Sequence, residues 1–156
     1  MYGIVTNVEG EAGEQIRMLW AELRQRYGPE VHKGHNLPHI SYHVADDYDV
    51  EAVRTLIEAI ASEVAPFDVA APGIGFVARQ HTVLWINVAR SPEIAALHER
   101  LWTPASGLCE GRIDHYHTER WFPHATLSDN EAMLQAVPEL VRAMRRVAPA
   151  GVDPHR

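Results

Sequence analysis

Residues 37–44 read LPHISYHV, and residues 122–129 read FPHATLSD. In both, a Pro-His pair follows a large apolar residue, and a Ser or Thr stands two positions after the His. The two copies are 124 − 39 = 85 residues apart. Ten His, ten Pro and eleven Ser plus Thr in 156 residues would produce Pro-His-x-Ser/Thr only roughly 0.05 times by chance, so composition alone does not account for the pair.

Strand periodicity says what such a pair does. Side chains alternate faces along a strand, so His39 and Ser41 share one face and Ile40 lies on the other. Continued alternation adds His43 to the first pair, and in the second copy it puts His124, Thr126 and Ser128 together, opposite Ala125 and Leu127. Pro38 and Pro123 fit the first position of a strand, where one missing ladder donor is tolerated. Each strand therefore hides hydrocarbon and presents an imidazole with a hydroxyl one step along.

Outward from the two motifs the chain repeats an order of elements. Residues 2–8 (YGIVTNV) read as a strand, and Ile16, Leu19, Trp20, Leu23 and Tyr27 recur at helical spacing over residues 11–27, which Gly28-Pro29 ends. The polar loop 29–38, with His32 and His35, leads into the first Pro-His strand. A second helix over 49–64 follows Asp46, Asp47 and Asp49. Residues 66–78 are extended and turn around Arg79-Gln80-His81 into the strand TVLWINV at 82–88. Ser91-Pro92-Glu93 starts a third helix, with Ser at the cap and Pro in the first turn. A long loop runs to Pro123, the second Pro-His strand follows, and Asp129 opens a last helical region, bent at Pro138 and ending near Val147. Residues 2–64 and 82–147 thus share the order strand, helix, Pro-His strand, helix, which predicts one bilobed domain of the α+β class. The expected architecture is a duplicated fold of two pseudo-symmetric lobes of mainly antiparallel sheet, with helices outside and a central cleft.

The bulk properties narrow the function. An apolar fraction of 46% and a charged fraction of 22% are those of a globular domain. A net charge of −7 excludes a broad footprint on a nucleic-acid backbone, which needs many Lys and Arg contacts, so a nucleic-acid substrate is expected to be small or held at one end. Arg142, Arg145, Arg146 and Arg156 are the one basic cluster and read as favourable charge at a helix C-terminus. Cys109 is the single cysteine, and MYGIVTNVEGE carries no basic leader, so a cytoplasmic setting is expected. No apolar run approaches the roughly 18 residues of a membrane span.

Two imidazoles and two hydroxyls facing one cleft suit phosphodiester chemistry. A neutral imidazole takes a proton from the attacking oxygen while a protonated one gives a proton to the leaving oxygen, and hydroxyls donate to the non-bridging phosphate oxygens. PHISYHV and PHATLSD resemble the paired His-x-Ser/Thr motifs of the two-histidine (2H) phosphoesterase superfamily, in particular its 2′-5′ RNA ligase-like and cyclic phosphodiesterase branches. The likeness extends over nearly the whole chain, including the VLWINV strand between the motifs. It implies a bilobed fold in which His39 and His124 serve as acid and base and Ser41 and Thr126 bind phosphate. It also implies action without a metal or other cofactor on 2′,3′-cyclic or 2′-5′ phosphodiester bonds of RNA ends or small nucleotides.

Around this core, His43 is a candidate substrate contact or pocket wall, Arg120 a candidate phosphate contact, and Trp121 a candidate stacking surface for a base. His115 and His117 lie in the loop before the second motif. Two rival readings use the same residues: a protein of this fold that binds a nucleotide or RNA end without turning it over, and a hydrolase whose metal is held by His39 and His43, or by His115, His117 and His124. The repeat breaks after V-A-P-x-x-V at 64–69 and 147–152, because DPHR is too short and polar to supply the strand pair that follows in the first unit. The second lobe is therefore expected to lack its last strands, leaving either a weakened lobe or a homodimer through the exposed edge.

Overall fold

The computed structural model describes residues 1–31, 37–78 and 82–130, together with residues 137, 138 and 142. The fold is α+β. In chain order it contains β1 (Tyr2–Asn7), α1 (Gly10–Tyr27), a 3-10 turn (Pro29–Val31), β2 (His39–Ala45), β3 (Asp47–Tyr48), α2 (Val50–Glu63), β4 (Gly73–Ala78), β5 (Thr82–Asn87), α3 (Pro92–Ser106), β6 (Cys109–Glu110), a second 3-10 turn (Asp114–Tyr116) and β7 (His124–Ser128). The loop histidines His32 and His35, the turn at 79–81, most of the last helical region with Arg145, Arg146 and Arg156, and the C-terminal sheet edge lie outside the described residues. Among the described residues no helix is long and apolar enough to cross a membrane.

Local chemistry sets the helix ends. Asp49 accepts from the Ala52 N–H at 3.1 Å and Ser91 accepts from the Ile94 N–H at 3.4 Å, each satisfying an N–H left over in a first turn. Gly28, at φ 94°, ends α1 with its N–H on the Arg24 carbonyl, a backbone conformation open to glycine. Helix α3 runs further than its apolar spacing indicated, to Ser106, because Pro104 falls in its last turn and removes a single rung.

Two antiparallel sheets carry the motifs. β1 pairs with β2, and β5 sits between β4 and β7, while the short β3 and β6 pair with each other. β2 and β7 lie side by side without pairing. The helices cover these sheets in crossed fashion. Ile16, Trp20 and Leu23 of α1 pack on Leu84 of β5 and on Ala125 and Leu127 of β7. Val53 and Ile60 of α2 and Ile94, Leu101 and Ala105 of α3 pack on Ile4, Ile40 and Tyr42 of the β1–β2 pair. The helix that follows β1 therefore covers the other sheet, and Val8, at the exit of β1, touches both cores. Burial of such apolar faces is the main favourable term in folding, so the crossing ties the two sheets into one cooperative unit.

Each motif strand also carries one residue too many for its partner. Ile4 faces His43 and the next residue, Val5, faces Ser41, so Tyr42 is an extra residue in β2. Leu84 faces Ser128 and Trp85 faces Thr126, so Leu127 is the extra residue in β7. The two bulges fall at the same motif position, three residues after the His. A bulge breaks the alternation of faces. His39 and Ser41 are half-buried as the pattern requires, but His43 turns inward and is fully buried; His124 and Thr126 are half-buried, and Ser128 is fully buried. The expectation that His43 and Ser128 share the faces of their motif histidines is corrected by this phase slip.

Once inside, His43 has both ring nitrogens engaged. Its Nδ1 lies 2.5 Å from the Tyr48 hydroxyl and its Nε2 lies 3.2 Å from Ser106 Oγ, while Ser106 Oγ donates to the Trp102 carbonyl at 2.7 Å. A carbonyl only accepts, so the chain has one direction: Tyr48 donates to His43 Nδ1, and His43 Nε2–H donates to Ser106, which donates to Trp102. Burial holds His43 down to about 4, with the Arg112 and His98 charges adding to the effect. Burial likewise raises the Tyr48 phenol.

This neutral imidazole couples stability to pH. An unfolded His protonates near ~6.5, whereas the folded His43 stays neutral down to about 4. The unfolded chain binds more protons between those values, so stability is full above pH ~6.5 and falls as pH drops toward 4. The loss from His43 is on the order of 3 kcal/mol. Urea unfolding at pH 7 and pH 5 should show about 2 kcal/mol of this loss in the wild type and a clearly smaller fall in His43→Gln; equal falls would place the titrating group elsewhere.

Candidate functional site

The two motif strands are held in the same way at their entrances. The Pro38 carbonyl accepts from the Val8 N–H at 2.7 Å, and the Pro123 carbonyl accepts from the Val88 N–H at 3.0 Å. In the ladders, Asn7 faces His39 and Asn87 faces His124, so each motif His sits opposite the terminal Asn of its partner strand. The sequences IVTNV and LWINV that precede α1 and α3 thus form matching ledges for the two imidazoles.

The rings are fixed identically as well. His39 Nδ1 lies 2.8 Å from the Leu37 carbonyl, and His124 Nδ1 lies 3.0 Å from the Phe122 carbonyl, two residues upstream in each case. Because the carbonyl can only accept, Nδ1 carries the hydrogen in both rings. Nε2 is then the nitrogen left available on each ring: a lone pair when the ring is neutral, a donor when it is protonated.

Burial pushes His124 below the usual histidine range; the Phe122 carbonyl opposes this, and the charges of His115 and His39 push the same way as burial. The influence of His39 on His124 follows from β2 and β7 lying side by side. His124 is therefore neutral at pH 7, with its Nε2 lone pair available.

Ser41 and Thr126 are half-buried one step along their strands from the two imidazoles. The Ser41 hydroxyl lies against Tyr116, whose phenol is raised by burial and lowered in part by that contact. His115, in the same 3-10 turn as Tyr116, meets Phe122 edge-on at 5.7 Å. This short turn therefore sends one side chain toward each motif. Neither contact is signalled by periodicity, because both residues come from what reads as featureless loop.

An aromatic flank completes the second motif. Phe122, 37% exposed, stacks on His124 at 4.9 Å, and Trp85 lies 5.8 Å from His124 and 5.4 Å from Phe122. Trp85 donates to Asn87 Oδ1 at 2.6 Å and lies flat over Gly75, where an added Cβ would come within 2.5 Å of the indole. Glycine at 75 is thus required for this close approach of strand and ring.

The candidates outside the motif pairs are placed differently. Trp121, read from sequence as a surface for a base, is only 3% exposed; it stacks on His98 at 3.9 Å and donates from Nε1 to the Ser41 carbonyl at 2.8 Å. That reading is corrected by one residue, since Phe122 is the aromatic that stays at the surface. His43 has no ring nitrogen left for a ligand. Arg120 is exposed, in the turn where its N–H meets the His117 carbonyl at 2.8 Å. His117 accepts from the Glu119 N–H at 3.3 Å and meets Trp102 edge-on at 5.5 Å. Among the described residues no group of three or more His, Cys, Asp or Glu side chains is placed to hold a metal ion. A cavity of about 430 Å³ lies away from the motifs, between β1 and α2, against Ile4, Tyr48, Val53 and Ile57.

A family model described as the 2′-5′ RNA ligase superfamily matches residues 12–156. No curated protein matches the chain.

The ring geometry is directly testable. In ¹H–¹⁵N spectra recorded above the titration of the rings, both His39 and His124 should be in the Nδ1–H form, with Nε2 unprotonated. An Nε2–H form at either ring would show that its carbonyl bond is not made.

Proposed function

The chain belongs to the 2′-5′ RNA ligase superfamily, and we propose that it is a metal-independent phosphoesterase acting on 2′,3′-cyclic or 2′-5′ phosphodiester bonds of small nucleotides or RNA ends. The observation that carries this reading is the matched pair of Nδ1–carbonyl bonds, which leaves two Nε2 atoms free on adjacent strands. One acid and one base are what the displacement at phosphorus requires.

For a 2′,3′-cyclic phosphate, His124 takes a proton from water as its oxygen bonds to phosphorus. His39 gives its Nε2 proton to the ribose oxygen whose bond to phosphorus breaks. The product is a phosphomonoester, and the two rings end with exchanged protonation states, reset by solvent. His124 is assigned as the base because its environment keeps it neutral. Ser41 and Thr126 donate to the non-bridging oxygens, whose charge must be held as the transition state forms. Phe122 gives a base next to the reacting phosphate a ring to stack on, and exposed Arg120 offers charge to an adjoining phosphate. The acidic surface fits a short substrate or an RNA end better than a long duplex.

Replacement of His39 or His124 by Ala should each lower kcat for 2′,3′-cyclic nucleotide hydrolysis by roughly 10²–10⁴-fold, with the double variant little worse than either single one. A single variant with near-normal turnover would refute the paired mechanism. The pH profile of kcat/KM should be bell-shaped, and because His124 is depressed its acid limb should lie below ~6.5. An acid limb at or above that value would reverse the assignment of base and acid. Ser41→Ala and Thr126→Ala should each lower kcat/KM by about 1–3 kcal/mol, less than the histidine variants; losses as large as those of the histidines would point to a different role.

A further inference from the structure

The bulge in β2 leaves Tyr42 without a partner on β1, between Ser41 and His43, which have one each. The carbonyls at this break are taken by side chains from distant parts of the chain. Ser41's carbonyl accepts from Trp121 Nε1 at 2.8 Å, and Tyr42's carbonyl accepts from His98 Nε2 at 3.0 Å. The two donors brace each other: the Trp121 ring stacks on His98 at 3.9 Å with 27° between planes and leans on Tyr42 at 5.5 Å. All three residues are at most 3% exposed. Trp121 stands three positions before His124, so the residue that leads into the second motif grips the first.

We propose that Trp121 is a positioning residue for Ser41, its indole N–H fixing the Ser41 peptide and so aiming that hydroxyl at the substrate phosphate beside His39 and His124. The inference rests on the reading of Ser41 as a phosphate ligand. A carbonyl held in one direction restrains its peptide plane, and with it the ψ angle that sets the direction of the Cα–Cβ bond on the same residue. Elsewhere in β2 the ladder supplies that constraint; at the bulge it does not. His98 supplies the second anchor. The same braced pair registers one half of the site against the other, since the donor on Trp121 and the imidazole of His124 belong to one short run of chain.

The test is Trp121→Phe, which keeps an aromatic ring against His98 and Tyr42 and removes the N–H together with part of the indole. Hydrolysis of 2′,3′-cyclic AMP should show KM raised and kcat/KM lowered by about tenfold or more, as for Ser41→Ala. The Trp121→Phe/Ser41→Ala double variant should be no worse than Ser41→Ala alone, because both changes remove one contribution. The limbs of the pH profile should stay where they are, since neither imidazole is touched. A merely structural role would instead lower the active fraction, reducing kcat at unchanged KM and multiplying with Ser41→Ala; either result overturns the proposal. Amide exchange provides an arm independent of turnover. Exchange at Ser41, Tyr42 and His43 should quicken about tenfold or more in Trp121→Phe, with the amides of α2 unchanged. Unchanged exchange at the bulge overturns the positioning role. Wild-type protein inert toward 2′,3′-cyclic AMP would count against the phosphoesterase reading alone, and exchange would then decide the role of Trp121.

Discussion

One residue too many in each motif strand decides which side chains stay at the surface and which turn into the core. Tyr42 in β2 and Leu127 in β7 have no partner across the ladder, and from that point each strand changes phase. Before the break, His39, Ser41, His124 and Thr126 face outward with Ile40 and Ala125 beneath them; after it, His43 and Ser128 are driven into the cores. A strand without the bulge would keep one polar face along its whole length. With it, two residues of chemistry sit directly on a tightly anchored segment. The inward polar groups are each satisfied: His43 by Tyr48 and Ser106, Ser128 by the Val31 carbonyl and the Asn130 N–H.

The same logic explains why the site can be rigid on strands of five and seven residues. Two-stranded antiparallel ribbons are marginal alone. Here the ribbon β1–β2 is covered by α2 and α3, and the β5–β7 pair by α1, which belongs in sequence to the other half. Neither half has a complete core without the other. Side-chain donors from α3 and from the segment before β7 then hold the one part of β2 that lacks ladder bonds. Positions that the proposed catalysis would need within a fraction of an ångström are thus fixed by packing and by hydrogen bonds outside the motif side chains.

Much of this was legible in the chain. Element order follows from apolar periodicity and caps: Asp49 and Ser91 start helices as their chemistry demands, and Gly28 stops one. The outward pairs His39–Ser41 and His124–Thr126 follow from alternation. What alternation could not supply was its own interruption, since a bulge depends on the partner strand and not on the residues that bulge. That is why His43 reads as a surface residue and is a core one. Trp121 and Phe122 are neighbours with opposite fates, set by which ring meets α3 and which meets Trp85. Tyr116 and His115 approach the motifs through a 3-10 turn whose sequence has no periodic signature. The exchange of α1 onto the second sheet is a long-range choice that local spacing does not encode.

The central claim is that two matched imidazoles, and no metal, perform the chemistry. The most direct measurement is turnover of 2′,3′-cyclic nucleotides by wild-type protein in excess EDTA, with the position of the phosphate in the product determined. The account predicts undiminished turnover and a single phosphomonoester isomer, because one fixed acid, His39, serves one leaving oxygen. Turnover abolished by EDTA and restored by a divalent cation, or an even mixture of isomers, would contradict it.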